Sequence, residues 1–173
     1  TIGRLPPGRL NAITDVAGVE VGHTTLISGR GRLEIGAGPV RTGVTAIWPQ
    51  RNIVQEFLPC GVDVPNGNGE LSGCHWVEES GRCEGPICIT NTHSCGLARD
   101  ATIKWLVARS GDLEQWALPV TGETYDGYLN DINGFHVAAS DRELADWIER
   151  LSGGLCVDEF AQVLRRSMTR RTT

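Results

Sequence analysis

At 173 residues, with 40% hydrophobic and 21% charged side chains, the chain has the size and composition of one globular domain that buries about two thirds of its unfolded surface. This excludes a disulfide-only miniprotein and a chain too polar to fold. Sixteen Lys and Arg against 21 Asp and Glu give a formal charge of −5, so there is no broad basic face for nucleic acid, and only the end of the chain, with Arg165, Arg166, Arg170 and Arg171, is locally basic.

No run approaches the roughly 18 apolar residues of a membrane span, and the leading TIGRLPPGRL lacks the apolar centre of a signal peptide. The expectation is a cytoplasmic protein with neither a membrane nor a nucleic acid as partner.

In chain order, β-branched runs bounded by Gly and Pro predict strands over Val19–Ile27, Gly43–Trp48 and Pro86–Thr90. Leu97–Arg109 has no internal Gly or Pro and stops at Ser110-Gly111, which predicts a helix. Its apolar residues cover more than one face, so it is expected to be largely buried. A further strand is predicted over Trp116–Val120. Beyond Val137, Leu144, Trp147, Ile148 and Leu151 fall at i, i+3, i+4 and i+7 and predict an amphipathic helix. Ser152-Gly153-Gly154 breaks it, and Val157, Phe160, Ala161 and Leu164 repeat the spacing in a second. No internal repeat or long linker divides the chain.

The six cysteines, Cys60, Cys74, Cys83, Cys88, Cys95 and Cys156, include no CxxC pair and are irregularly spaced. They read as structural thiols, Cys88 being a buried one between Ile87 and Ile89. A metal site using His75 or His93, and Cys83 as a reactive thiol, are the lesser alternatives.

Three polar, Gly-rich segments carry the candidate chemistry. Val64–Gly81 (VPNGNGELSGCHWVEESG) permits positive φ and close backbone approach, as at a pocket rim or in an ordinary turn. Thr90–Gly96 (TNTHSCG) joins a strand to a helix start, where amides receive negative charge. Asn91, Thr92 and Ser94 there are equally suited to capping the helix. Glu123–Val137 (ETYDGYLNDINGFHV) gathers Glu123, Tyr125, Asp126, Tyr128, Asn130, Asp131 and Asn133. A carboxylate in that group could bind a substrate ammonium and a phenol could donate to an oxyanion; a hydrogen-bonded loop is the alternative.

The blocks LNAITDVAGVEVGHTTL, GPVRTGVTAI, NGNGELSGCHWVEESG, EGPICITNTHSCGLARDA and ALPVTGETYDGYLNDINGFHV, in that order, resemble the DmpA family of N-terminal-nucleophile aminopeptidases, which includes the β-peptidyl aminopeptidases. The resemblance implies an α/β fold, a DmpA-like α/β/β/α sandwich, here incomplete. Residues 1–137 would form the DmpA-like region, and 138–173 a divergent two-helix tail. It implies a precursor that cuts itself before a Ser or Thr, whose freed α-amine then activates its own hydroxyl. The substrates it implies are peptides or amino-acid amides and esters, and no metal or other cofactor is needed. On matching positions, Glu123 would receive the substrate amine, Tyr125 would sit near the oxyanion and also contact substrate, and Trp116 would form a pocket wall.

None of the 22 glycines precedes Ser or Thr, so the family's scissile step is missing from this sequence, and Thr1 heads a Gly- and Pro-rich leader with no strand to position it. The expectation is a substrate-pocket portion lacking its catalytic nucleophile and depending on a companion chain headed by Ser or Thr. Assembly into a homo-oligomer is a further implication of the resemblance. The alternative is a stand-alone noncatalytic α/β module or the product of a truncated gene.

Overall fold

In a computed structural model, the chain is described over residues 3–50, 56–110 and 118–133. The predicted tail helices and Trp116 lie outside these residues. β1 (Glu20–Ser28) and β2 (Val40–Trp48) pair antiparallel along their full lengths, from Glu20 opposite Trp48 to Ser28 opposite Val40. β3 (Leu58–Pro59) follows, then α1 (Cys74–Ser80) and β4 (Arg82–Cys83), which pairs with β3 in a small ribbon. β5 (Ile87–Asn91) leads through a 3-10 turn at Thr92–Ser94 into α2 (Cys95–Ser110), and β6 (Val120–Thr124) completes the described fold.

The main sheet has the order β1-β2-β5-β6; β2 and β5 are antiparallel, whereas β5 and β6 are parallel. A parallel pair cannot be joined by a tight turn, and α2 lies in the long connection between the two. Cross-strand partners share a face, so Thr24, Leu26, Val44, Ala46, Cys88, Thr90, Thr121 and Glu123 all point to one side. α2 covers that side, and Ala98 packs in one buried cluster with Ala46 and Cys88. Cys88 Sγ meets Thr102 Oγ1 at 3.4 Å, and Trp48 meets Trp105 edge to face at 4.8 Å between ring centres. The opposite side of the sheet carries His23, Thr25, Ile27, Arg41, Thr45, Ile89 and Thr124 around a shallow groove.

The three N-terminal strand predictions correspond to β1, β2 and β5. α2 begins two residues before the predicted helix and ends one after it. Its inner face is buried as expected, but Val107 is 50% exposed, so the apolar residues are not all enclosed. The strand predicted over Trp116–Val120 is displaced: pairing begins at Val120 and runs to Thr124. Pro119 has no N–H to offer a ladder, and its carbonyl instead accepts the Ser72 hydroxyl at 3.0 Å. Among the described residues, no helix is long and apolar enough to cross a membrane.

Candidate functional site

β5 and β6 end side by side at the start of α2, and the crevice beyond the carboxyl ends of parallel strands collects polar groups in open α/β sheets. Asn91 shapes this corner. Its side-chain oxygen accepts from Ser94 N at 3.1 Å and its amide donates to Thr42 Oγ1 at 2.8 Å, so the capping reading of Asn91 holds.

The NGNGE segment comes to the same corner by lying along the outer edge of β6. Leu71 forms an antiparallel bridge with Gly122, Glu123 N donates to Glu70 O at 3.1 Å, and Ser72 N donates to Thr121 O at 2.9 Å. The Ser72 hydroxyl accepts from Thr121 N at 3.0 Å while donating to Pro119 O. Gly73, at φ +74, then starts α1 so close to β6 that a Cβ there would stand 2.9 Å from Leu118 O. One residue before this brace, Gly69 lies against the Glu123 carboxylate, where a Cβ would come within 2.8 Å of Oε1. Glycine at 69 therefore allows a contact that any side chain would push apart.

Among the described residues, Glu123 Oε2 is buried without a hydrogen-bond partner, and so are Thr92 Oγ1 and Ser94 Oγ. Native proteins rarely leave such atoms unpaired, because an unmade hydrogen bond to a buried charged group is costly. A carboxylate with one oxygen against Gly69 and the other unpartnered is suited to accept from an ammonium or another cationic donor. The nearby Cys95 thiol registers the negative charge of the site: burial first, then the Glu123 and Glu70 carboxylates, push it up to about 11 from the ordinary 9.0. Burial likewise raises Cys83 and Cys88.

These thiols lose protons more readily in the unfolded chain. The stability that the Cys95 thiol contributes is complete below pH 9 and is lost as pH climbs towards about 11. The urea midpoint should therefore fall across that interval, and Cys95→Ala should flatten the fall; an equally steep fall in that variant would show that Cys95 is not the group responsible.

Of the residues singled out in the sequence, Glu123 occupies the corner just described. Tyr125 turns outward: it is 62% exposed, and its ring meets Tyr128 edge-on at 5.3 Å. Asn130 and Asp131 serve as a hydrogen-bonded loop. Asp131 Oδ2 accepts from Gly36 N at 2.7 Å, and Asn130 Oδ1 accepts from Arg41 N at 3.0 Å, fixing the start of β2. Cys74 Sγ lies 3.9 Å from His75 Nδ1, whereas His93 Nδ1 is directed at Ile132 O, and no group of three metal-ligating side chains forms among the described residues. Gly69 and Ser72 fall in the segment read as a pocket rim or turn and Cys95 in the strand-to-helix junction, but none of the three was singled out by itself. The spacing of NGNGELSG marks a turn, but pairing of that turn with β6 is a long-range event that no local pattern encodes.

The model of peptidase family S58 matches residues 11–149. The β-peptidyl aminopeptidase BapA of Sphingosinicella microcystinivorans is 54% identical over 134 residues, which cover 76% of this chain and 33% of that protein. Among solved structures, a protein of Pyrococcus horikoshii OT3 aligns with a TM-score of 0.74 and 44% identity over 78% of this chain and 39% of its own. The L-aminopeptidase D-Ala-esterase/amidase of Ochrobactrum anthropi, described as a prototype serine aminopeptidase and a variant of the Ntn hydrolase fold, aligns with a TM-score of 0.68 and 46% identity over 75% of this chain and 37% of its own. The chain spans about a third of the length of the curated relatives it matches, 33% and 32%.

Proposed function

This chain belongs to peptidase family S58, and we propose that it forms the amine-binding part of an aminopeptidase that releases N-terminal residues from peptides, amides or esters. The observation that carries this reading is Glu123 Oε2, buried and without a partner among the described residues at the end of the β5–β6 pair. An N-terminal ammonium entering the corner would supply the missing donor. The substrate would then be fixed by its charged end, and the adjacent carbonyl placed for attack.

In this reading the attacking hydroxyl belongs to a Ser or Thr at the head of another polypeptide. Its own α-amine takes the proton as the oxygen adds to the carbonyl, and returns it to the leaving amine. Within these 173 residues no glycine precedes Ser or Thr. Tyr125 would contribute near the oxyanion only after turning inward, for instance when a further layer covers the sheet face that bears the groove.

The test is turnover of an aminoacyl p-nitroanilide by the purified 173-residue chain. No release above background is expected from the chain alone, and release is expected when a second polypeptide beginning with Ser or Thr is supplied. Turnover by the chain freed of any such polypeptide would overturn the assignment.

A further inference from the structure

The β3–β4 ribbon puts two cysteines on one face. Leu58 stands opposite Cys83 and Pro59 opposite Arg82, and Cys60 N donates to Gly81 O at 2.8 Å, which extends the ladder by one pair. Strand alternation then puts Leu58, Cys60 and Cys83 on one face, with Cys60 and Cys83 as diagonal neighbours. Gly81, directly across from Cys60, has no side chain to stand between them. Cys60 is among the groups that act on the Cys83 thiol and raise it. Each thiol also reaches a backbone carbonyl, Cys83 Sγ that of Gly85 at 3.4 Å and Cys60 Sγ that of Gly61 at 3.8 Å. Cys83 is buried, whereas Cys60 is half-buried and open to a small reagent.

We propose that Cys60 and Cys83 form a reversible disulfide when the chain meets a low-molecular-weight disulfide such as oxidised glutathione. The order of events follows from access. The Cys60 thiolate attacks one sulfur of oxidised glutathione, forming a mixed disulfide and expelling glutathione thiolate, which takes up the proton Cys60 gave up. Cys83 then loses its proton and attacks the Cys60 sulfur; the second glutathione leaves as thiolate and is protonated in turn. Two protein thiols are oxidised to one disulfide, and one oxidised glutathione is reduced to two thiols. Burial pushes the Cys83 thiol up, which makes it a slower attacker than an ordinary thiol in its place and leaves the first step to Cys60.

The crosslink closes the segment that carries Gly69, the Glu70–Ser72 brace and α1. Ring closure of that length restricts the unfolded chain and should raise the melting temperature by roughly 5 °C or more. The proposal does not depend on the aminopeptidase reading.

The experiment equilibrates the full chain with mixtures of reduced and oxidised glutathione, followed by intact mass and non-reducing peptide mapping. The expected product is lighter by two hydrogens and joins the Cys60 and Cys83 peptides, and dithiothreitol reverses it. Cys83→Ser should trap glutathione on Cys60. Cys60→Ser, at a half-buried position, should abolish both crosslink and adduct. Three results would overturn the proposal: glutathione persisting on Cys60 of the wild-type chain without ring closure, crosslinks to Cys74, Cys88, Cys95 or Cys156 instead, or no modification of Cys60.

Discussion

Glu123→Gln should lower kcat/KM for substrates with a free N-terminal amine by roughly 30- to 150-fold in the assembled enzyme, while esters with a blocked amine keep their rate. The amide retains the size of the carboxylate but loses the charge, and a hydrogen bond to a charged partner in a buried site is worth about 2–3 kcal/mol. Among the described residues Oε2 has no donor to compensate, so the loss falls on the substrate interaction. Gly69→Ala should imitate part of this loss without touching the carboxylate chemically. Its Cβ would come within 2.8 Å of Oε1, the far end of a side chain that can swing aside, so the fold survives while the carboxylate is displaced. A misplacement of a few tenths of an ångström is enough to cost about tenfold on free-amine substrates. Gly67→Ala is the control, because a Cβ there meets nothing within 4 Å. Equal losses on free-amine and blocked substrates would mean that Glu123 supports the fold and does not receive the amine.

The second large effect is on stability. Gly43→Ala should destabilise the chain by about 3 kcal/mol and lower its melting temperature by roughly 6–12 °C. The new Cβ would collide with Thr24 O and stand 3.3 Å from both Thr24 C and Thr25 Cα, all of them backbone atoms of the neighbouring strand. No rotamer change relieves such a contact; β1 and β2 must separate locally. The strain would spread, because Gly43 O also accepts the Thr90 hydroxyl at 2.8 Å and so links β2 to β5. A melting temperature within about 2 °C of the parent would show that the two strands separate more readily than their nine-residue register suggests.

How legible these features were in sequence depended on how local their causes are. β1, β2 and β5 announce themselves through β-branched runs, and α2 through an uninterrupted helical stretch with a Gly stop. β6 does not, because Val120-Thr121-Gly122-Glu123-Thr124 contains residues that strands disfavour. Its conformation is imposed by β5 on one side and by Glu70–Ser72 on the other. The apolar Trp116–Val120 stretch drew the prediction towards itself for that reason. α1 escaped because its NGNGELSG approach reads as turn, and the β3–β4 ribbon because two-residue strands have no period to detect. Glu123 was singled out through family resemblance and the polar density around it. That its carboxylate rests on Gly69 could be learned only from the fold, since 54 positions of chain separate the two.

The brace along β6 also bears on how the chain behaves among its own copies. An outermost strand displays a row of bare amides and carbonyls that can template pairing with a stranger. On β6 that row is spent internally, on Glu70, Leu71 and Ser72. A molecule whose brace peeled away would uncover adhesive backbone beside the Glu123 corner. The same few residues that shape the corner thereby also occupy the outer edge of β6.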